Sequence, residues 1–249
     1  MYPEGTTLNG LNFRYQRSAQ ASAGTLWYCA RMVILLGPPG VGKGTQAQRI
    51  AEQYGLQHVS TGDVLRDNVH RGTELGRKAK PIIDRGELVP DDIVLAMVQA
   101  RVVQSDCKNG LILDGFPRTL RQAKGLEGIY RLYKSRSTTV LNIVAQPELL
   151  VRRMTNRRIC KMSGHIYNLV NRPPMRPDIC DADGSELMQR PDDTDAVIRE
   201  RIRTYECHAR PLIDYYSAQG LVHEVQGAAD PDAVRANIMK VLDREGPTK

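Results

Sequence analysis

The amino-acid sequence predicts an α/β protein built on a doubly wound, parallel, five-stranded sheet. Short apolar or β-branched runs alternate with helical patterns along the chain, as expected when parallel strands are covered on both faces. A glycine-rich loop follows the first run directly, a position typical of ligand sites in such sheets. Two segments rich in glycine and proline interrupt the alternation, and we expect them to be a helical insertion and a small lid insertion.

The predicted strands are five short runs with helical patterns between them. Their bounds are Met32–Leu36, His58–Ser60, Leu111–Asp114, Thr138–Val144 and Leu221–Val225. Two long helical patterns are predicted at Asp92–Gln104 and Asp195–Ser217. Because most of the runs lack a polar face, the sheet is expected to carry helices on both sides.

The chain divides into an extension, a discontinuous core and two insertions. We assign residues 1–31 to an N-terminal extension, residues 32–59, 90–155 and 194–249 to the core, residues 60–89 to the helical insertion, and residues 156–193 to the lid. The lid contains short β-like pieces such as His165–Tyr167. Both insertions are expected to close over substrates.

Residues 1–31 differ in composition from the rest of the chain. They contain one acidic residue, three arginines, many small polar residues and no clear periodicity. An organelle transit peptide is one interpretation, and we favour a second, in which translation begins at Met32. In either case we expect the segment to be poorly ordered and dispensable for activity.

Composition narrows the class of protein. Thirty-five Lys and Arg against twenty-eight Asp and Glu give a net charge of +7, which suits nucleic acid or a basic cleft for small polyanions. No nucleic-acid-reading motif is present, and one Trp and two Phe are too few for a stacking platform, so we favour the cleft. Five cysteines without regular spacing indicate a reducing compartment. The apolar runs are far shorter than the ~20 residues that span a bilayer.

The loop Gly37–Thr45 has the features of a phosphate-binding loop. It reads Gly-Pro-Pro-Gly-Val-Gly-Lys-Gly-Thr, follows a predicted strand and precedes a helical pattern. Its glycines let consecutive N–H groups turn toward an anion, and the helix adds the positive end of its dipole. Lys43 can then reach the outer phosphates of a nucleotide. The alternative is a glycine-rich turn that binds nothing.

Gly44 departs from the commonest form of this loop. The usual pattern has Ser or Thr directly after the lysine, whereas here the hydroxyl comes one residue later, at Thr45. This departure argues against a GTPase or a motor ATPase.

Two further motifs follow predicted strands and complete a resemblance. Ser-Thr-Gly-Asp-Val-Leu-Arg spans residues 60–66, and Leu-Asp-Gly-Phe-Pro-Arg-Thr spans residues 113–119, with Gln122 close behind. Together with the glycine loop, these motifs resemble the adenylate kinase family of the long-lid type, over residues 32 to about 245. The resemblance implies a fold like that of the P-loop NTPases, in which the helical insertion binds the nucleoside monophosphate. It also implies reversible phosphoryl transfer from ATP to AMP, giving two ADP.

The resemblance assigns residues to the AMP side. Thr61 would meet the adenine, Gln122 would read its edge, and Arg66 and Arg118 would hold the α-phosphate. A Gln amide offers both donor and acceptor, and an arginine fork suits phosphate oxygens. The remaining AMP residues implied are Glu87, Val89, Gly115, Arg190 and Arg201. Asp114 would act on Mg²⁺ through water, because Mg²⁺ dehydrates reluctantly. A structural capping role is the alternative for Asp114.

The ATP side is assigned in the same way. The implied residues are Gly40, Val41, Gly42, Lys43, Gly44, Thr45, Arg153, Arg157, Tyr167 and Gly227. The catalytic set is Lys43, Arg118, Arg157, Arg190 and Arg201. After Gly227 this chain has Ala228-Ala229 where many members carry Thr-Lys, which leaves ATP and GTP open as the donor. For Arg152 and Arg158 we favour a solvated helix face.

The lid contains an incomplete metal motif. Cys160, Ser163, Cys180 and Asp183 have the spacing that the family resemblance implies for a zinc-binding lid, but serine is a poor zinc ligand. Water or His165 could supply a fourth ligand. We favour a hydrogen-bonded lid without metal, because structural zinc sites almost always have four protein ligands.

The leading functional hypothesis is a cytoplasmic, monomeric adenylate kinase that binds ATP, AMP and ADP, with neither nucleic acid nor membrane as a partner. A GTP:AMP phosphotransferase is the alternative within the enzyme class, and a pyrimidine monophosphate kinase is less favoured. An inactive P-loop nucleotide-binding module is the alternative from another class. Such a module would need Lys43 but not the two groups of arginines.

Overall fold

A computed structural model describes residues 31–102, 104–133 and 137–245, with side chains omitted for residues 130–133. The expectation of disorder for residues 1–31 therefore lies, except for Arg31, outside the described residues. Arg31 itself is buried, and its guanidinium donates hydrogen bonds to the carbonyls of Leu242 and Glu245 at the end of the last helix. Arg31, which the sequence analysis assigned to the extension, is therefore packed against the core.

The central sheet has five parallel strands in the order β2-β3-β1-β4-β8, which confirms the predicted fold class. The strands are β1 (Met32–Leu36), β2 (Gln57–Ser60), β3 (Leu111–Asp114), β4 (Thr138–Val144) and β8 (Val222–Gln226). The lid strands β5 (Arg157–Cys160), β6 (Ile166–Asn168) and β7 (Leu187–Met188) form a separate antiparallel sheet in the order β6-β5-β7. Three of the five predicted core strands have the predicted bounds; β2 begins one residue earlier, and β8 is shifted by one.

Eight α-helices are described. They are α1 (Lys43–Tyr54), α2 (Thr61–His70), α3 (Glu74–Asp84), α4 (Asp91–Val102), α5 (Leu120–Tyr133), α6 (Pro147–Thr155), α7 (Asp195–Ser217) and α8 (Pro231–Arg244). A 3₁₀ turn at Ser105–Cys107 precedes β3. Helices α2 and α3 lie in the predicted helical insertion. In the described parts of the chain, no helix has both the length and the apolar character needed to cross a membrane.

Strand β1 explains why the sheet is covered on both faces. All five of its residues are buried, although successive side chains of a strand point to opposite sides. Met32, Ile34 and Leu36 belong to one core cluster, which includes residues of α4 and α5. Val33 and Leu35 belong to a second cluster, which includes residues of α1, α6 and α8. The sheet therefore lies between two helical layers, and β1 sits at its centre.

Candidate active site

The candidate site lies at the carboxyl ends of the parallel strands. Strand β1 is paired with β3 on one side and β4 on the other, so connections leave it in opposite directions. Such a switch point opens a crevice beyond the strand ends. The loop after β1, the start of α2 after β2, and the Asp114–Gly115 turn after β3 all reach this crevice.

The phosphate loop is shaped by close contact with its surroundings. Gly37 has a φ of 141°, and a Cβ atom at this position would lie 2.3 Å from the carbonyl oxygen of Ile143. Only glycine fits such a position. Val41 is buried in the core, which anchors the loop. Helix α1 begins at Lys43, and its N-cap, Gly42, supplies no side-chain cap, so the first N–H groups remain available to an anion.

Lys43 folds back over its own loop. Its Nζ donates hydrogen bonds to the carbonyl oxygens of Gly37 at 2.7 Å and Pro38 at 2.8 Å. Burial lowers the pKa of Lys43 to about 8; Asp114 opposes this shift, and the nearby arginines reinforce it. The lysine is therefore held close to the loop in a positively charged environment.

The presence of glycine at position 44 is explained by Asp114, which lies across the crevice. A Cβ atom at Gly44 would lie 3.2 Å from Oδ2 of Asp114, so a side chain there would press on the carboxylate. Thr45 follows in the first turn of α1. His58, which the sequence reasoning did not select, places its Nε2 3.4 Å from the same Asp114 oxygen. Only the strand pairing, which sets β2 beside β3, brings His58 to this position.

The predicted acceptor residues Thr61, Gly115 and Gln122 meet at the other side of the crevice. Thr61 is buried and donates its hydroxyl to the carbonyl oxygen of Gly115 at 2.9 Å. Gln122 is buried as well, and its Oε1 accepts from the Arg118 N–H at 2.7 Å. Its Nε2 donates to Asp91 at 2.8 Å. Asp91, which sequence reasoning missed, therefore fixes which way the Gln122 amide points.

The other residues predicted to bind AMP differ in how far they are buried. Val89 is buried in the core cluster. The carboxylate of Glu87 pairs with the exposed Arg85, and the hydrogen bond from Arg85 lowers the pKa of Glu87. Arg66 lies 2.5 Å from Asp63 on the surface of α2. Arg66 and Glu87 are thus paired with charges of their own insertion in this structure.

Four arginines from distant parts of the chain form one cluster with Lys43. Arg118, Arg157 and Arg201 each act on the charge of Lys43, and Arg190 acts together with Arg157. Burial, together with charge repulsion from Arg201, lowers the pKa of Arg118 to about 10. The pKa of Arg190 is likewise lowered to about 10 by burial, with Arg66 and Arg157 contributing. Because closely spaced cations repel one another, binding a polyanion between them is favourable.

On the predicted donor side, Arg153 lies against the loop after β8. Its Nη1 donates to the carbonyl oxygen of Gly227 at 2.8 Å, and its Nη2 lies 3.4 Å from that of Ala228. The N–H of Gly227 donates to Val144 at 2.8 Å, which joins this loop to the end of β4. Arg152 is exposed, as favoured from the sequence, whereas Arg158 is half-buried and donates to two carbonyls at the base of the lid.

Tyr167 lies in the interior of the lid. It is buried with Cys160, Cys180 and Leu187, and its hydroxyl accepts a hydrogen bond from the Asp181 N–H at 2.8 Å. The Tyr167 side chain therefore packs within the lid. Contact with a nucleotide base remains a prediction.

The lid brings three of its potential metal ligands together. The ligand atoms of Cys160, Cys180 and Asp183 all lie within 4.8 Å of one another. The Cys160 thiol lies 3.3 Å from Asp183, and the Ser163 hydroxyl lies 2.7 Å from Nδ1 of His165. Hydrogen bonds from Ser163 and from the Ser185 N–H hold the pKa of Asp183 well below its usual range.

The lowered pKa of Lys43 predicts a pH dependence of stability. Between pH 8 and 10.5 the unfolded chain keeps the lysine proton that the folded protein releases, so the free energy of unfolding rises with pH. Across this range we expect the free energy of unfolding of the wild type to rise by up to about 3 kcal/mol relative to that of Lys43→Met. Urea unfolding of both proteins at a series of pH values measures this; parallel pH profiles would contradict it.

Comparisons with known proteins agree with this site. The family model described as adenylate kinase matches residues 35–221. An adenylate kinase of Archaeoglobus fulgidus is 47% identical over 212 residues, covering 85% of this chain and 98% of the relative. Those of Caldicellulosiruptor bescii and Bacillus subtilis are each 44% identical, covering 86% and 84% of this chain and 99% and 97% of their own length. The match spans the phosphate loop, the cation cluster and the lid, and the chain belongs to the adenylate kinase family.

Proposed function

We propose that this chain transfers the terminal phosphoryl group of ATP to AMP, reversibly giving two ADP. The observation that carries this proposal is the convergence of Lys43 and four arginines on one crevice. A protein that only binds a nucleotide needs the phosphate loop but has no use for cations from the lid and α7. Two sets of phosphates facing each other would use all of them.

Charge stabilisation supplies the chemistry. Phosphoryl transfer passes through a loose transition state with negative charge spread over the phosphoryl oxygens, so positioning and electrostatics dominate. Lys43 starts within the phosphate loop and would follow the transferred group. Arg118 and Arg201 would hold the acceptor phosphates, and Arg157 and Arg190 would contact the phosphates from the lid. Closure of the lid would exclude water, which strengthens these interactions and protects ATP from hydrolysis.

Mg²⁺ fits the donor set at the end of β3. Asp114 presents its carboxylate to the phosphate loop, with only glycine at position 44 between them. We propose that Asp114 acts on Mg²⁺ through a water ligand. When bound, the ion would neutralise phosphate charge.

The acceptor base is read by an oriented amide. Asp91 and the Arg118 N–H fix Gln122, so its remaining acceptor and donor capacity can face the N6 and N1 edge of adenine. This favours AMP over pyrimidine monophosphates. For the donor base, the carbonyl of Gly227 would accept from the amino group of adenine, whereas guanine presents an acceptor at the same place. ATP is therefore the proposed donor, and GTP remains the alternative.

A coupled assay tests the proposed reaction. We expect turnover with ATP and AMP and little with GTP as donor or with CMP or UMP as acceptor, because Gln122 and the Gly227 carbonyl suit adenine. Arg118→Ala should lower kcat by a factor of at least about 10², the size expected for a lost charge-stabilising donor, while the thermal unfolding midpoint stays near that of the wild type. Near wild-type turnover by this variant would contradict the assigned roles.

We propose that the lid holds its shape without metal. Ser163 occupies the position of the missing ligand and pairs with His165, and among the described residues only three side chains of the ligand type form the cluster. Hydrogen bonds from the Cys160 thiol and from Ser163 already satisfy Asp183. Monomeric state and cytoplasmic location also stay predictions.

Elemental analysis tests the metal-free lid. We expect purified protein to contain far less than one zinc per chain, because structural zinc sites need four ligands. Cys160→Ser should leave the zinc content unchanged, as should Cys207→Ser, which removes an exposed cysteine outside the lid. About one zinc per chain that is lost in Cys160→Ser and kept in Cys207→Ser would overturn the proposal.

A further inference from the structure

The adjacent carboxylates Asp192 and Asp193 connect the lid to the cation cluster. Asp193 precedes α7 by two residues, and its partner Arg157 is the first residue of β5. The two residues are 36 positions apart and lie on the two chain segments that join the lid to the core. Their contact therefore closes the base of the lid.

Arg157 and Asp193 form a bidentate ion pair. Nε of Arg157 donates to Oδ2 of Asp193 at 2.8 Å, and Nη2 lies 2.5 Å from Oδ1. Two parallel contacts of this kind fix the plane of the guanidinium as well as its position. Asp193 is fully buried, and the Arg157 side chain is 17% exposed, so water competes little with the pair.

The backbone of Asp193 is held as firmly as its side chain. Its N–H donates to the carbonyl oxygen of Arg190 at 3.0 Å, and its carbonyl oxygen accepts from Nε2 of Gln189 at 2.8 Å. A buried charge fixed in this way has little freedom to leave its partner, because an unpaired buried charge is costly. Arg157 is thus tied to a rigid point.

Asp193 uses only one edge of the Arg157 guanidinium. Nε and Nη2 are engaged, whereas Nη1 makes no hydrogen bond to the residues that the structure describes. Asp192 differs: it meets Arg201 through Nη1 at a single 2.9 Å contact, and both side chains are about one-fifth exposed. A phosphate could displace Asp192 from Arg201, but could bind Arg157 without displacing Asp193.

We propose that Asp193 is a positioning residue for phosphoryl transfer, which holds Arg157 by one edge and presents the other to the phosphates. The inference rests on the proposed role of Arg157 in that reaction. Misplacing a charge-stabilising group by about 1 Å can cost about 10² in rate. Asp193 therefore acts on the reaction through Arg157, without touching the substrate.

Steady-state kinetics of Asp193→Asn test this proposal. We expect kcat to fall by about 10-fold to 10²-fold, with a much smaller change in the KM values for ATP and AMP. Asp195→Asn, the same change in an exposed residue that pairs with Arg199, is the matched control and should leave kcat unchanged. Asp193→Asn with unchanged kcat would overturn the proposal, provided that Arg157→Met alone is impaired. Near wild-type activity of Arg157→Met would instead contradict the proposed role of Arg157.

A double-mutant cycle separates positioning from a general structural role. If Asp193 acts through Arg157, adding Asp193→Asn to Arg157→Met should lower kcat little further. An equal loss of kcat in both backgrounds would show that Asp193 acts by another route and would overturn the proposal.

A measurement on the wild-type protein tests the proposal without any variant, so it applies even if Asp193→Asn does not fold. The Nε–H proton of Arg157 should give a slowly exchanging NMR signal in the free protein and with ATP and AMP bound, because Asp193 keeps that edge in both states. Loss of the signal on binding would overturn the proposal.

Discussion

The structure depends on the close approach of like charges at the carboxyl edge of the sheet. Burial, reinforced by repulsion from neighbouring arginines, lowers the pKa of Lys43, Arg118, Arg190 and Arg201, so the charged form of each of these groups is destabilised. Three carboxylates, Asp114, Asp192 and Asp193, offset part of this repulsion. Phosphate groups can offset far more of it, so the free protein is arranged for a polyanion.

Each part of the fold contributes to placing these charges. The switch point beside β1 opens the crevice, and the crowded glycine loop positions Lys43 within it. Asp91 orients Gln122 and, through it, the N–H of Arg118. The lid sheet begins with Arg157, and α7 supplies Arg201. Because the cations lie on elements that are far apart in sequence, the folded core and its insertions are required to bring them together.

Most of the fold and many of the candidate site residues could be predicted from the sequence, because they leave local patterns. The apolar strand β1, the glycine loop and the motif around Arg118 are contiguous in the chain. Partners could not be predicted in the same way: Asp91, His58 and Asp193 meet their partners only through tertiary contacts that span tens of residues. Gly44 was noticed as a departure, but its reason, the nearby Asp114 carboxylate, appears only when β3 lies beside β1. Arg31 was assigned to the dispensable extension because its contact with the end of α8 leaves no local pattern in the sequence.

The most direct test of this account is the free energy of unfolding of wild type and Arg118→Gln, each with and without AMP. Without nucleotide, the variant should be at least as stable as the wild type, because one of the mutually repelling charges is gone. With AMP at about 100 times its wild-type dissociation constant, the wild type should gain about 2.7 kcal/mol and the variant almost nothing. The account would be contradicted if Arg118→Gln had a lower free energy of unfolding than the wild type without nucleotide and gained as much from AMP. In that case the cation cluster would not be what binds the phosphate of AMP.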